Sequence, residues 1–178
     1  MNFSGGLGHF GVLWAAAMGA EVYAISHSPQ KEKDSLALGA KEFICTKDEG
    51  WHKPWAFKFD FILNCADMTH TFKLQDYMST LNINGTLHNV GLPDQPLPEM
   101  MAQDFAPNGG AISGSHIGSR PEMLKMLKLA ADKKLKPYIE TLPVSEKGCK
   151  EAVERVKVND VRYRFTLTDF DKAFPNRE

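Results

Sequence analysis

The chain has 178 residues, 43% hydrophobic and 24% charged, which is typical of a globular protein that buries one core. A formal net charge of -1 excludes the basic field needed to hold nucleic acid or an anionic membrane. Three widely spaced cysteines with no C-x-x-C pair disfavour a zinc knuckle or a disulfide framework, so we expect a reduced, cytoplasmic protein with no metal site on this chain.

A glycine-rich stretch opens the chain and precedes an apolar helical run over residues 10–18, which is too short to cross a bilayer. Glycines permit a tight turn and the close approach of a pyrophosphate, and the unpaired amides of a helix N-terminus attract anions. The G-x-G-x-x-G fingerprint is incomplete, because Phe3 occupies its first position and only two residues come before it. The stretch predicts a phosphate-binding turn, and a plain glycine-rich helix cap is the alternative. Its candidate contacts are Gly5, Gly6, Leu7 and Gly8.

The rest of the chain alternates short apolar strands with helical patterns, which is typical of βαβ units and a parallel sheet. Strands are predicted at residues 21–26, 43–45, 59–65, 86–90, 110–115 and 138–142, and a last one within 161–168. One helix is predicted from Pro29 to Gly39, with Ser28 as its cap, and another after the capping box of Ser119 and Glu122. Two more are predicted from apolar residues at helical spacing, one along Leu74, Tyr77, Met78 and Leu81 and one along Cys149, Ala152, Val153 and Val156. The inner face of the helix after Ser119 is predicted at Met123, Leu124, Leu127, Ala130 and Ala131.

Ligands of open parallel sheets bind beyond the carboxyl ends of the strands. This rule alone nominates four residues that end or follow predicted strands, which are Ser26, Cys65, Gly91 and Ser115.

Four stretches together resemble the cofactor domain of the zinc-dependent medium-chain alcohol dehydrogenases, most closely the NADP-dependent cinnamyl alcohol dehydrogenase branch. They are residues 5–12, 34–40, 114–119 and 160–165. The resemblance implies a Rossmann-type doubly wound parallel sheet that lacks its first strand. It also implies an NADP-binding domain over residues 1–160, and a strand and tail over 161–178 that belong to an absent zinc-binding catalytic domain.

By this resemblance, the backbone of Gly6, Leu7 and Gly8 would face the pyrophosphate and Cys65 would lie near the adenosine side. The nicotinamide would be lined by Gly91, Ser115, His116 and Ile117. The alternatives are plainer: His116 contributes only backbone, and Cys65 is a small buried residue without a redox role.

The choice of cofactor rests on charge. Enzymes that use NAD place an acidic residue about 20 positions past the glycines to hold the ribose 2′-hydroxyl. Here Ser26, His27 and Ser28 stand in that region, followed by Lys31. Hydroxyls and an ammonium would hold a 2′-phosphate that a carboxylate would repel, so we predict NADP. The plainer alternatives are a helix cap for Ser28 and a solvated position for Lys31.

The resemblance implies hydride transfer between NADP(H) and an alcohol or aldehyde at a zinc ion held by the absent domain, so no catalytic or metal-binding residue is assigned to this chain. It also implies a homodimer formed through the strand at 110–115. The alternative is a non-catalytic NADP-binding or dimerisation module. A short-chain dehydrogenase is disfavoured, because the chain has no Tyr-x-x-x-Lys pair. Without the first strand, we expect the isolated chain to be marginally stable.

Overall fold

The computed structural model describes residues 5–66, 68, 72–92, 94–158 and 160–175. The chain divides into two compact units, Met1–Leu135 and Lys136–Glu178. This division reflects only how compact each unit is. It does not test the functional boundary predicted between residues 160 and 161, which stays a prediction. The sequence predicts that no strand precedes the glycines. This prediction falls on residues 1–4, which lie outside the described residues.

The first unit alternates helices and strands. Its helices are α1 (Gly5–Ala17), α2 (Glu32–Ala37), α3 (Leu74–Thr80) and α4 (Arg120–Lys133), with short 3-10 turns at Pro29–Lys31, Lys53–Trp55 and Ala102–Asp104. Its strands are β1 (Tyr23–Ser26), β2 (Glu42–Cys45), β3 (Phe59–Asn64), β4 (Leu81–Asn89) and β5 (Ala111–Gly114). Every ladder is parallel, with β1 beside β2 and β3–β4–β5 in that order. The predicted α/β class with a parallel sheet is therefore confirmed.

The core of this unit lies against one face of the strands. Ile62, Leu87 and Ile112 occupy the same level of the register across β3, β4 and β5, and the first two are fully buried. Tyr23 of β1 and Phe59 of β3 bring their ring centroids to 5.3 Å. The aliphatic and aromatic residues of these strands, together with those of α3, thus form one continuous core that fixes the register of the sheet.

Helix α1 begins earlier than the sequence pattern indicates. It starts at Gly5, so the glycines form its first turn instead of a turn that precedes it. Gly5 has a φ of +43°, a region that glycine enters without a Cβ penalty. The predicted stop at Gly19 is confirmed, because that residue has a φ of +90° directly after the helix.

Three local predictions were wrong. Ser28 caps the 3-10 turn through its backbone, but its hydroxyl forms no cap hydrogen bond. Leu81 is the first residue of β4 instead of the last turn of α3, and the register of β3 against β4 shifts where Asn84 and Gly85 turn the chain. The predicted inner face of α4 is not buried. Met123, Leu124 and Leu127 are about half exposed, and no residue of α4 is buried although the helix contacts α1.

The second unit is a small parallel βαβ arrangement. It consists of β6 (Glu140–Pro143), α5 (Glu146–Lys157), β7 (Phe165–Thr168) and the short α6 (Phe170–Ala173). Arg155 of α5 donates hydrogen bonds to Glu140 at 2.7 Å and Asp160 at 3.1 Å. The Arg162 backbone N–H and the Arg155 guanidinium hold the pKa of Glu140 below its ordinary value. Of the predicted inner face of α5, Val153 and Val156 are more than half exposed.

Candidate functional site

The predicted site residues that follow strands form two groups at the carboxyl ends of the parallel ladders. One group follows β1 in the two-stranded sheet, and the other follows β3, β4 and β5 in the three-stranded sheet. Because all strands within a parallel sheet end at the same edge, each group forms one short stretch of surface.

The first group contains Ser26, Ser28 and Lys31. The Ser26 hydroxyl is buried and accepts a hydrogen bond from the Ser28 backbone N–H at 3.2 Å. The Ser28 carbonyl accepts from the Lys31 backbone N–H at 3.1 Å. This compact turn places Ser28 and Lys31 directly after the end of β1. The Lys31 ammonium is partly buried, and this burial lowers its pKa. His27 lies within the turn but is exposed.

The first turn of α1 carries the four candidates of the glycine stretch. Gly8 is buried, Gly5 and Gly6 are half-buried, and the Leu7 side chain is exposed. The turn contains no acidic residue. Its leading amides have no acceptor within the helix, so the turn suits an anion electrostatically.

The second group begins where β3 and β4 end. A Cβ built on Gly91 would lie 2.8 Å from the Ala66 carbonyl oxygen, so the backbone after β4 passes very close to the backbone after β3. Cys65 lies on the β3 side of this contact and is buried, and burial raises the pKa of its thiol to about 11. A thiol with this pKa stays protonated near neutral pH, which fits a packing role.

Two asparagines that the sequence analysis did not select lie directly beside this contact. Asn64 ends β3, Asn89 ends β4, and the two residues are paired in the register. The Asn64 amide donates to the Ala66 carbonyl at 2.9 Å and to the Asn89 side-chain oxygen at 2.7 Å. The Asn89 amide donates to the Gly91 carbonyl at 2.9 Å. The two residues are 25 positions apart, so only the strand pairing could have indicated that they meet.

The β5 side of the second group is connected to β4 through His88. Its Nδ1 lies 2.8 Å from the Ser113 hydroxyl and its Nε2 lies 2.8 Å from the Ser115 hydroxyl. The Ser115 backbone N–H also donates to the Asn89 carbonyl at 3.2 Å. Ser115 is thereby fixed beside Asn89, whereas His116 and Ile117 extend into solvent and Ile117 is 83% exposed.

Among the described residues, no group of three or more His, Cys, Asp or Glu side chains could hold a metal ion. None of the helices described has the length and apolar character needed to cross a membrane. The three cysteines are free thiols.

Comparisons with known proteins concern the family and the fold. A family model described as "Zinc-binding dehydrogenase" matches residues 6–132. The chain is 38% identical over 172 residues to NADP-dependent alcohol dehydrogenase 6 of Saccharomyces cerevisiae, covering 96% of this chain and 47% of that protein. It thus spans about half the length of the curated relatives it matches.

Two solved structures extend this similarity to the fold. A cinnamyl alcohol dehydrogenase from Sorghum bicolor superposes with a TM-score of 0.81 at 33% identity, over 90% of this chain and 44% of that chain. A CAD from Helicobacter pylori complexed with NADP(H) gives a TM-score of 0.71 at 32% identity, with the same coverage of 90% and 44%.

Proposed function

Because the chain belongs to the zinc-binding dehydrogenase family, we propose that it binds NADP(H) and forms the cofactor-binding half of an alcohol dehydrogenase or aldehyde reductase. The bound nicotinamide would supply hydride exchange with a primary alcohol or aldehyde. The described residues hold no set of metal ligands, so zinc chemistry would depend on a further domain, and this half alone would not turn over substrate.

The observation that carries the proposal is the turn after β1. Ser26 and Ser28 are held together by a hydrogen bond, and the partly buried Lys31 is tied to the same turn. No acidic residue occupies positions 26–31. A 2′-phosphate carries close to two negative charges, which hydroxyl donors and an ammonium stabilise and which a carboxylate would repel. The residues present therefore fit NADP(H) better than NAD(H).

The remaining predicted residues would contact the other parts of the cofactor. The amides of Gly5, Gly6, Leu7 and Gly8 would face the pyrophosphate. Cys65 would pack beside the adenosine side, while Gly91, Ser115, His116 and Ile117 would line the nicotinamide. His27 would lie at the rim of the phosphate site. Residues 1–160 would then form the cofactor domain, and 161–178 would return to the catalytic domain.

The test compares thermal unfolding with NADPH and with NADH, because a ligand that binds only the folded state raises the melting temperature. We expect a clear rise with NADPH and a much smaller one with NADH. Lys31→Glu should abolish this preference, whereas Lys33→Glu should leave it unchanged, because Lys33 is exposed on α2. Equal rises with both cofactors would refute the 2′-phosphate assignment, and no rise with either would refute cofactor binding.

A second candidate is a non-catalytic NADP-binding or dimer-forming module. Dimerisation would use β5, which ends the described order β3–β4–β5 and could pair with its copy. Light scattering tests the dimer, since a monomer at micromolar concentration would exclude it. Turnover of an alcohol by NADP-bound protein that includes a zinc domain would instead favour the enzyme.

A further inference from the structure

The asparagine pair at the ends of β3 and β4 has a defined hydrogen-bond direction. The Ala66 and Gly91 carbonyls can only accept hydrogen bonds, so the amide groups of Asn64 and Asn89 must point at them. This orientation leaves the Asn89 side-chain oxygen facing the Asn64 amide, which donates to it. Neither side chain can rotate by 180° about its last bond without setting two oxygens against each other.

The pair fixes backbone at a place where the two chain segments nearly touch. Each asparagine binds the carbonyl of the residue two positions further on, and the bond between them joins the two strand ends. The Val90 backbone N–H also donates to the Asn64 carbonyl, and the Ser115 N–H donates to the Asn89 carbonyl. The two side chains therefore hold Ala66 and Gly91, whereas the backbone carbonyls of the same residues hold Val90 and Ser115.

A dinucleotide lies across both halves of a doubly wound sheet. If the 2′-phosphate lies at the Ser26 end of β1, as the proposed function requires, the nicotinamide half lies over the ends of β3, β4 and β5. We infer that Asn64 and Asn89 are positioning residues that hold the backbone around Gly91 against the nicotinamide half of NADP(H). The inference rests on the proposed function and assigns the pair no contact with substrate.

The experiment uses two ligands that share only the adenosine half. NADPH carries the nicotinamide, whereas 2′,5′-ADP carries the 2′-phosphate and adenine without it. The variant Asn64→Leu/Asn89→Leu keeps the branching and the number of heavy atoms of each side chain and removes the three amide hydrogen bonds described above. The single variant Asn89→Leu changes only the half-buried partner and leaves the Asn64 bond to Ala66. The control is Asn82→Leu, which removes an exposed amide bond to Asp60 at the other end of β4.

For the double variant, we expect NADPH to bind about tenfold more weakly, because this is the loss of affinity that one or two net hydrogen bonds account for. The affinity for 2′,5′-ADP should stay within about twofold, because a positioning role is confined to one half of the ligand. The fluorescence gain of the reduced nicotinamide on binding should fall as well. Asn89→Leu should show the same selectivity with a smaller loss, and Asn82→Leu should match the parent chain for both ligands.

Unchanged NADPH affinity in both variants would overturn the inference. So would equal losses for NADPH and 2′,5′-ADP, because a residue that only stabilises the fold weakens both ligands together. A parent chain that binds neither ligand would instead refute the proposed function, and the inference would fall with it.

Discussion

Replacing Gly91 by alanine tests the close approach of the β3 and β4 ends directly. The added Cβ would lie 2.8 Å from the Ala66 carbonyl oxygen. Carbon and oxygen atoms in contact are ordinarily separated by roughly 3.3 Å or more, so the two backbones must separate by about 0.5 Å. The hydrogen bonds from Asn64 to Ala66 and from Asn89 to Gly91 oppose that movement, because both carbonyls belong to the segments that must shift.

Overpacking against backbone of this kind costs about 1–3 kcal/mol. In a chain of this length, that loss lowers the melting temperature by roughly 2–12 °C. The assay is thermal unfolding followed by circular dichroism, with NADPH affinity measured on the same samples. Gly118→Ala is the matched control, because its Cβ would meet nothing closer than the Glu122 carboxylate at 3.4 Å and neither glycine has a left-handed φ. If Gly91→Ala melts within 1 °C of the control, as roughly equal stabilities would require, the close contact is not rigid and the reasoning fails.

Two further predictions concern buried polar groups. The Cys65 pKa is raised from 9.0 to about 11, so at pH 8 iodoacetamide should alkylate this thiol about a hundredfold more slowly in the native chain than in urea. The stability linked to the protonated Cys65 thiol is complete below the pKa of the unfolded chain and is lost as the pH rises toward the pKa of the folded chain. Equal alkylation rates in the native chain and in urea would contradict the burial of Cys65. Asn108→Ala should cost about 2–4 kcal/mol, because the buried amide donates to the Met78 and Leu81 carbonyls and its oxygen accepts from Gly110. Urea denaturation measures this loss. Asn82→Ala, which removes a solvent-exposed hydrogen bond to Asp60, should cost less than about 1 kcal/mol. Similar losses in both variants would be inconsistent with the buried network.

Most of the fold could be predicted from local patterns, and the family prediction is confirmed. The strands of the first unit follow apolar runs, and Gly19 ends α1 as predicted. The start of α1 was missed because glycine disfavours helix on propensity alone, so nothing local indicates that Gly5–Gly8 form its first turn. The boundary at Leu81 was missed because an apolar residue fits both a helix face and a buried strand.

Candidate site residues could be selected from the sequence where they lie close together along the chain, but not where strand pairing brings them together. The turn of Ser26, Ser28 and Lys31 spans six residues, and its charge pattern can be recognised without a structure. The Asn64–Asn89 pair depends on the register of two strands, which one sequence does not specify. The exposed face of α4 was missed for a related reason, since amphipathic spacing shows which residues could pack but not what they pack against.

The His88 connection between β4 and β5 is compatible with either tautomer of the imidazole. Each ring nitrogen faces a serine hydroxyl, and a hydroxyl can rotate to donate or to accept. In each tautomer one ring nitrogen donates to one serine and the other nitrogen accepts from the other serine. The two serines can therefore hold the ring in the same place for both tautomers, and Ser115 stays bound to β4 through its side chain as well as through its backbone N–H.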